Sequence, residues 1–101
     1  MKKYVYVVIE EMYGDWASEN GACNMLGVYE NILDAKNKIK SILALEKSES
    51  HIIDNHLSLE NAEKIVDSIN NFVSFYIYEN EHDYNNGYSK SVLTLTKMVV
   101  E

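Results

Sequence analysis

Carboxylates are the side chains of this chain that could do the most chemistry. Two clusters stand where segments of alternating residues end. They comprise Glu10, Glu11 and Asp15 in the first, and Glu79, Glu81 and Asp83 in the second. If both segments point the same way, up to six acids share one rim and could bind a cation or imitate a nucleic-acid backbone. A cation needs oxygens that converge at about 2.0–2.6 Å, and no Asp-x-Asp-x-Asp-Gly loop is present, so a solvated or protein-binding rim is favoured over a metal site.

Tyrosines alternate with aliphatic residues in the same two segments. Period two places Tyr4, Tyr6, Tyr76 and Tyr78 on one side of a sheet and residues such as Val7 on the other. The aliphatic side needs a helical cover, so we expect the tyrosines to project away from the helices as a contact face. The alternative is a half-exposed sheet surface in which Tyr and Thr pair across strands.

Trp16 stands alone in the polar segment that follows the first alternating stretch. An exposed tryptophan is a good contact anchor. The alternative is that its indole folds back and closes the end of the core.

Other catalytic or ligand-binding constellations are missing from the sequence. His51 and His56 are five residues apart and do not share a helix face, and we expect both to be solvent-exposed. Cys23 is the only cysteine, which excludes an intrachain disulfide. Because no nucleophile elbow, P-loop or dinucleotide fingerprint occurs, we expect no enzyme activity, no cofactor and no bound metal.

The charge of the chain restricts its partners. Its 101 residues predict a single domain, 1–101, with a net charge of −7, and all nine basic residues are lysines. Arginine, the usual bidentate reader of phosphate, is absent, so direct nucleic-acid and anionic-membrane binding are disfavoured. A protein partner with a basic surface is favoured instead. No apolar run approaches 18 residues, and we expect a cytoplasmic protein, in the host cytoplasm if phage-encoded.

The pattern of apolar residues predicts the order β-β-α-α-β-β. The strands span about 3–12, 22–29, 72–81 and 91–100, and the helices follow caps at Asn31 and Ser58 and end near Lys47 and Asn70. Gly27 indicates a β-bulge, Asn86-Gly87 a tight hairpin turn, and 48–55 a connector. The fold class is therefore α+β: a two-layer sandwich with a four-stranded, mainly antiparallel sheet and two helices on one face.

Two resemblances follow from these residues. Tyr13-Gly14-Asp15, the return strand Gly27-Val28-Tyr29 and the helix after it resemble small bacterial and phage proteins of unknown function, over about the first 46 residues. That class implies no catalytic residues. The overall profile, which is small, acidic, single-domain and without motifs, is similar to phage anti-defence proteins, including anti-CRISPR proteins.

The second resemblance implies a function. We expect a non-enzymatic protein that binds and inhibits a host defence protein, such as a CRISPR nuclease effector, by occupying its basic nucleic-acid-binding surface. The partner-binding residues would be the six carboxylates of the two clusters together with Tyr4, Tyr6, Trp16, Tyr76 and Tyr78. The alternative is a housekeeping domain that forms a homodimer through its tyrosine face. An enzyme or small-ligand sensor would require an enclosed pocket with convergent polar groups.

Overall fold

The computed structural model describes residues 3–13 and 23–100. These residues form an α+β fold, which confirms the predicted class. The elements are β1 (Lys3–Met12), β2 (Cys23–Tyr29), α1 (Ile32–Ser48), β3 (Ile52–Ile53), α2 (Leu59–Ser68), β4 (Phe72–Tyr78), α3 (Glu81–Asn85) and β5 (Ser91–Val100). The predicted bounds of β1 and β5 are confirmed to the residue.

Two short elements were missing from the prediction of four strands and two helices. β3 pairs Ile52 with Tyr78 and Ile53 with Ile77 at the edge of the sheet. Two residues are too few to show a period, which is why the segment was predicted to be a connector.

The third helix, α3, stands where a tight hairpin turn was predicted. Asn80 caps it by accepting a hydrogen bond from the Asp83 N–H at 2.8 Å. Gly87, at φ +73°, follows its last turn in the left-handed conformation that commonly ends helices. The Asn-Gly signal therefore marks a helix end here, and the prediction of a hairpin turn was wrong.

Both long helices begin at the predicted caps. The Asn31 side chain accepts a hydrogen bond from the Leu33 N–H at 2.8 Å, and Ser58 Oγ accepts one from the Asn61 N–H at 3.1 Å. Each bond satisfies one of the backbone donors that a first helical turn leaves free. The stripe of α1 that contains Ile39 is buried against the sheet.

The sheet has the strand order β2-β1-β5-β4-β3, and all neighbouring strands are antiparallel. β1 and β4 both pair with β5 and therefore run in the same direction. The carboxyl ends of β1 and β4 therefore lie at the same end of the sheet, beside the first residue of β5. This is the condition under which the two acidic clusters come to the same rim.

One face of the sheet, here called the covered face, carries the core together with α1 and α2. Across β1, β5 and β4 its central row is Val8, Leu95 and Val73. The core cluster consists of Val8, Ala35, Ile39, Leu43, Ile53, Ala62, Val66, Val73, Phe75, Ile77, Leu93 and Leu95. Sheet and helix side chains thus belong to one continuous core.

The prediction of which β1 residues face the helices was wrong. Val8 joins the core and Tyr6 packs against it, whereas Val7 lies on the opposite face between Val28 of β2 and Thr96 of β5. β1 is apolar on both sides, so its period of two does not determine its orientation. The pairing of Val8 with Leu95 does, because directly opposed residues share a face.

The predicted bulge at Gly27 is confirmed. Val8 pairs with Gly27 and Ile9 with Met25, which leaves Leu26 as an extra residue. The Tyr29 ring lies over Gly27, where a Cβ would stand 2.4 Å from the tyrosine hydroxyl oxygen. Glycine at this position therefore allows Tyr29 to pack down onto the core.

Candidate interaction site

The backbone of Lys90 joins the ends of β1 and β4. The Tyr13 N–H donates to the Lys90 carbonyl at 3.0 Å, and the Lys90 N–H donates to the Ile77 carbonyl at 2.7 Å. The acidic residues that follow each strand therefore emerge at one edge of the sheet. We call this the acidic–aromatic edge and define it as Glu10, Glu11, Tyr13, Tyr76, Tyr78, Glu79, Glu81, Asp83 and Tyr84.

The carboxylates of the edge have separate environments. Glu11 is exposed and accepts a hydrogen bond from the Tyr13 hydroxyl at 2.9 Å. Glu10 is half-buried on the covered face, where the Ser91 hydroxyl lies 3.4 Å from its Oε2. Glu79 and Glu81 are exposed, and the carboxylate of Glu81 lies 3.4 Å from His56 Nε2. Glu11, Glu79 and Glu81 thus present their charge to solvent, and Glu10 does so only in part.

Asp83 completes the second cluster in the first turn of α3. Its side chain is half-buried and lies 3.3 Å from His82 Nδ1. A carboxylate in a first helical turn is favoured by the positive end of the helix dipole. Asp83 therefore supports α3 as well as adding charge to the edge.

Aromatic rings stand beside these acids. Tyr84 makes edge-to-face contacts with Tyr78, at 5.2 Å between centroids, and with His56, at 4.5 Å. The Tyr84 hydroxyl donates to the Asn55 side-chain oxygen at 3.2 Å. Tyr13 and Tyr76 are exposed. The edge thus combines negative charge with rigid ring surface, and Tyr13 and Tyr84 were missed because neither belongs to an alternating strand pattern.

Two of the edge hydroxyls are held in the protonated state. The hydrogen bond to Glu11 is the main cause that raises the pKa of Tyr13, and burial, the charge of Glu11 and Tyr76 add to it. Burial raises the pKa of Tyr78, and Asp54 and the neighbouring tyrosines add to it. At neutral pH both hydroxyls are therefore protonated, and that of Tyr13 already donates to Glu11.

Tyr4 and Tyr6 lie at the other end of β1, which overturns the predicted single tyrosine plane. Tyr6 pairs with Lys97 and Tyr29 and packs against the core. The Lys97 ammonium stands 4.1 Å from the centroid of the Tyr4 ring. Neither ring belongs to the acidic–aromatic edge. Asp15 and Trp16, the remaining predicted contact residues, lie outside the described residues.

A buried ionic cluster lies just inside the edge. Glu46 near the end of α1 contacts His51 through Oε2 and Nδ1, and the Lys90 ammonium stands 3.5 Å from the same oxygen. All three side chains are about nine-tenths buried. The prediction that His51 is solvent-exposed was wrong, because the chain turns back after α1 and the His51 N–H donates to the Glu46 carbonyl at 3.0 Å.

This cluster has the donor types of a metal site. Glu46, Glu49 and His51 form the one group of potential ligands that converge within 4.8 Å among residues 3–13 and 23–100. The Lys90 ammonium, however, already neutralises Glu46. A metal ion at this position would compete with the Lys90 ammonium for the Glu46 carboxylate. The arrangement therefore supports an ion pair that links α1 to the start of β5.

The second face of the sheet is largely apolar, and its exposed side chains surround Val7 and Val92, which are 3% and 9% exposed. We call it the open face and define it as the alternate residues of the four long strands that point away from α1 and α2. They are Lys3, Val5, Val7, Ile9, Glu11, Cys23, Met25, Val28, Phe72, Ser74, Tyr76, Tyr78, Val92, Thr94, Thr96, Met98 and Val100. Met25 is 66% exposed and Phe72 58%. Apolar surface of this extent is typical of an interaction site.

Comparison with known proteins adds no information on family or function. No family model, curated protein or solved structure matches the chain. No helix in the described part of the chain has the length and hydropathy needed to cross a membrane.

Proposed function

We propose that this chain is a non-enzymatic binding protein whose acidic–aromatic edge docks on a basic surface of another protein. The observation that carries the proposal is the backbone bridge at Lys90, which unites the ends of β1 and β4. It brings the exposed acids Glu11, Glu79 and Glu81 to the same edge as Tyr13 and Tyr76.

Charge and ring surface have different parts in such a complex. A chain with net charge −7 is attracted to a positive surface, which speeds encounter and makes the association rate depend on salt. Rings that are already packed together, such as Tyr78 and Tyr84, lose little conformational freedom on binding. Their contact area slows dissociation, on which most differences in affinity depend.

The partner class follows from the same chemistry. Surfaces that bind nucleic acid carry clustered Lys and Arg that contact phosphate. Carboxylates on a rigid edge can form ion pairs with those Lys and Arg side chains in place of the phosphates. We propose that the chain inhibits a nucleic-acid-binding protein in this way. A host defence nuclease, such as a CRISPR effector, is the specific form of the proposal.

The test compares two charge reversals of equal size. Glu79→Lys with Glu81→Lys alters the edge, whereas Glu60→Lys with Glu63→Lys alters α2 to the same extent in charge. Each variant and the wild-type chain are immobilised and exposed to a host lysate at low and high salt. Any protein retained is then purified and its affinity is measured by calorimetry with all three chains.

A direct competition completes the experiment. The retained protein is bound to a labelled DNA or RNA oligonucleotide, and displacement by the chain is followed by fluorescence anisotropy. We expect displacement by the wild type and the α2 variant and at least a tenfold weaker effect from the edge variant. A partner that binds all three chains equally, or that keeps its nucleic acid, contradicts the proposal.

A further inference from the structure

We infer that the open face is a homodimer interface and that a second copy of this chain covers it face to face. The inference does not depend on the partner proposed for the acidic–aromatic edge, although the two surfaces share Glu11, Tyr76 and Tyr78. Glu79, Glu81 and Tyr84 belong to the edge alone. It depends on the chemistry, the charge and the area of the open face.

The exposed apolar side chains of the open face come from β2, β4 and β5. Val28 on β2, Phe72 on β4 and Met98 on β5 are each about half exposed. They surround a middle formed by Val7 of β1, which is 3% exposed, and the half-buried Ile9. A continuous apolar surface across a whole sheet is what one layer of a sandwich presents to another.

The small number of charged residues on the open face indicates which kind of partner it can bind. The open face holds one basic residue, Lys3, and one acidic residue, Glu11, which lie at opposite ends of β1. Lys3 is already paired with Glu30 at 2.7 Å. The other acids among residues 3–13 and 23–100 lie off this face. A basic partner or a nucleic acid would find no charge to bind in the middle of the face.

A second copy fits that distribution. Interfaces are depleted of charge at their centre and polar at their rim. Two open faces related by a two-fold axis bring apolar centres together and leave the repelling acids at the rim or outside it. The result would be a sandwich of four layers, helix, sheet, sheet and helix, with the two sheets about 10 Å apart.

The projected area of the face is somewhat below the area that a standard stable dimer buries on each partner. Four strands at a spacing of about 4.8 Å make a width of roughly 19 Å, and strands of seven to ten residues at about 3.3 Å each make a length of roughly 23–33 Å. The projected area is therefore about 400–600 Å², and the corrugated accessible surface is larger. A standard stable interface buries about 800 Å² on each partner.

Two neighbouring residues of β5 provide a matched test. Met98 lies on the open face and is 49% exposed, whereas Val99 lies on the other side of the strand and is 48% exposed. Met98→Glu and Val99→Glu thus add the same charge at equal exposure on opposite faces. Mass in solution is measured by analytical ultracentrifugation from about 1 µM to 1 mM, with circular dichroism to verify folding.

We expect the wild type and the Val99→Glu variant to sediment as dimers that dissociate on dilution. Met98→Glu places an unpaired charge from each copy in the interface, and the dimer dissociation constant should rise on the order of 100-fold. If Met98→Glu does not fold, Phe72→Asn on β4 serves as the second variant. A wild type that stays monomeric at 1 mM overturns the inference, as does a dimer that both glutamate variants weaken equally.

The edge variant separates this inference from the proposed function. Glu79→Lys with Glu81→Lys should leave the dimer intact, because neither residue belongs to the open face. Loss of the dimer in that variant would assign self-association to the edge and overturn the role of the open face.

Discussion

The covered face and the open face are formed by alternate residues of the same strands, and they differ in how far their side chains are buried. On β4, Phe75 points to the covered face and is 1% exposed, whereas Phe72 points to the open face and is 58% exposed. The covered face is completed by α1 and α2, and the open face presents its apolar side chains outward. The difference shows that only one side of this sheet is needed to build the core, which leaves the other available for binding.

The largest expected effect breaks the covered face. Phe75→Ala should lower the free energy of unfolding by about 3–5 kcal/mol, because it removes a buried ring and leaves a cavity. Phe72→Ala should lower it by less than about 1 kcal/mol in the monomer. Urea unfolding at low protein concentration measures both, and equal losses would contradict the assignment of the two faces.

The buried ionic cluster tests how α1 is attached to the sheet on the covered face. Lys90→Met removes the ammonium that lies beside the buried Glu46 carboxylate, and the free energy of unfolding should fall by about 1–3 kcal/mol. Lys64→Met is the control, because Lys64 pairs with Glu60 at the exposed surface of α2 and should change stability by less than about 0.5 kcal/mol. Similar values for the two variants would show that burial at Glu46 has no energetic consequence.

Gly27 tests how closely the covered face is packed at its β2 end. Gly27→Ala should cost roughly 1–3 kcal/mol, because the new Cβ would force the Tyr29 ring off the core. Combination with Tyr29→Ala should recover part of the loss, since the clashing ring is then gone. A double-mutant cycle by thermal unfolding measures this coupling, and strict additivity would contradict the packing of Tyr29 over Gly27.

The smallest expected effect concerns pH at the edge strand beside the open face. Burial raises the pKa of Asp54, against the opposing effect of the hydrogen bond that it accepts from the Tyr76 N–H. A raised pKa means that the folded state holds the proton more tightly. The contribution of Asp54 to stability is therefore present below its unfolded pKa and is lost as pH rises through the folded pKa.

Asp54→Asn should abolish that dependence. Asparagine keeps the side-chain oxygen and tolerates the left-handed backbone at φ +49°. The variant should gain stability relative to the wild type between about pH 4 and pH 7, by less than about 1 kcal/mol. Urea unfolding at several pH values tests the sign, and a gain that shrinks toward pH 7 would contradict it.

The candidate site was predictable only in part. Glu79, Glu81, Tyr76 and Tyr78 follow from the pattern of β4, because strand alternation and the acids after it are adjacent in the chain. Tyr13 belongs to the edge through its hydrogen bonds to Glu11 and Lys90, and the second of these joins residues distant in sequence. Residue types alone therefore could not have indicated its place in the edge.

The amino-acid sequence by itself determined where both long helices begin and where β1 and β5 begin and end, whereas β4 ends at Tyr78 and not at residue 81 as predicted. For the helices the reason is local. Asn31 and Ser58 cap helices through hydrogen bonds to residues two and three positions away, and Gly27 accommodates its own neighbour. Only the tertiary structure decided which side of β1 is buried and that the ends of β1 and β4 meet. Both depend on the pairing of each strand with β5, which forms between residues far apart in the chain. That pairing turns one apolar side of β1 toward the helices and the other toward the open face.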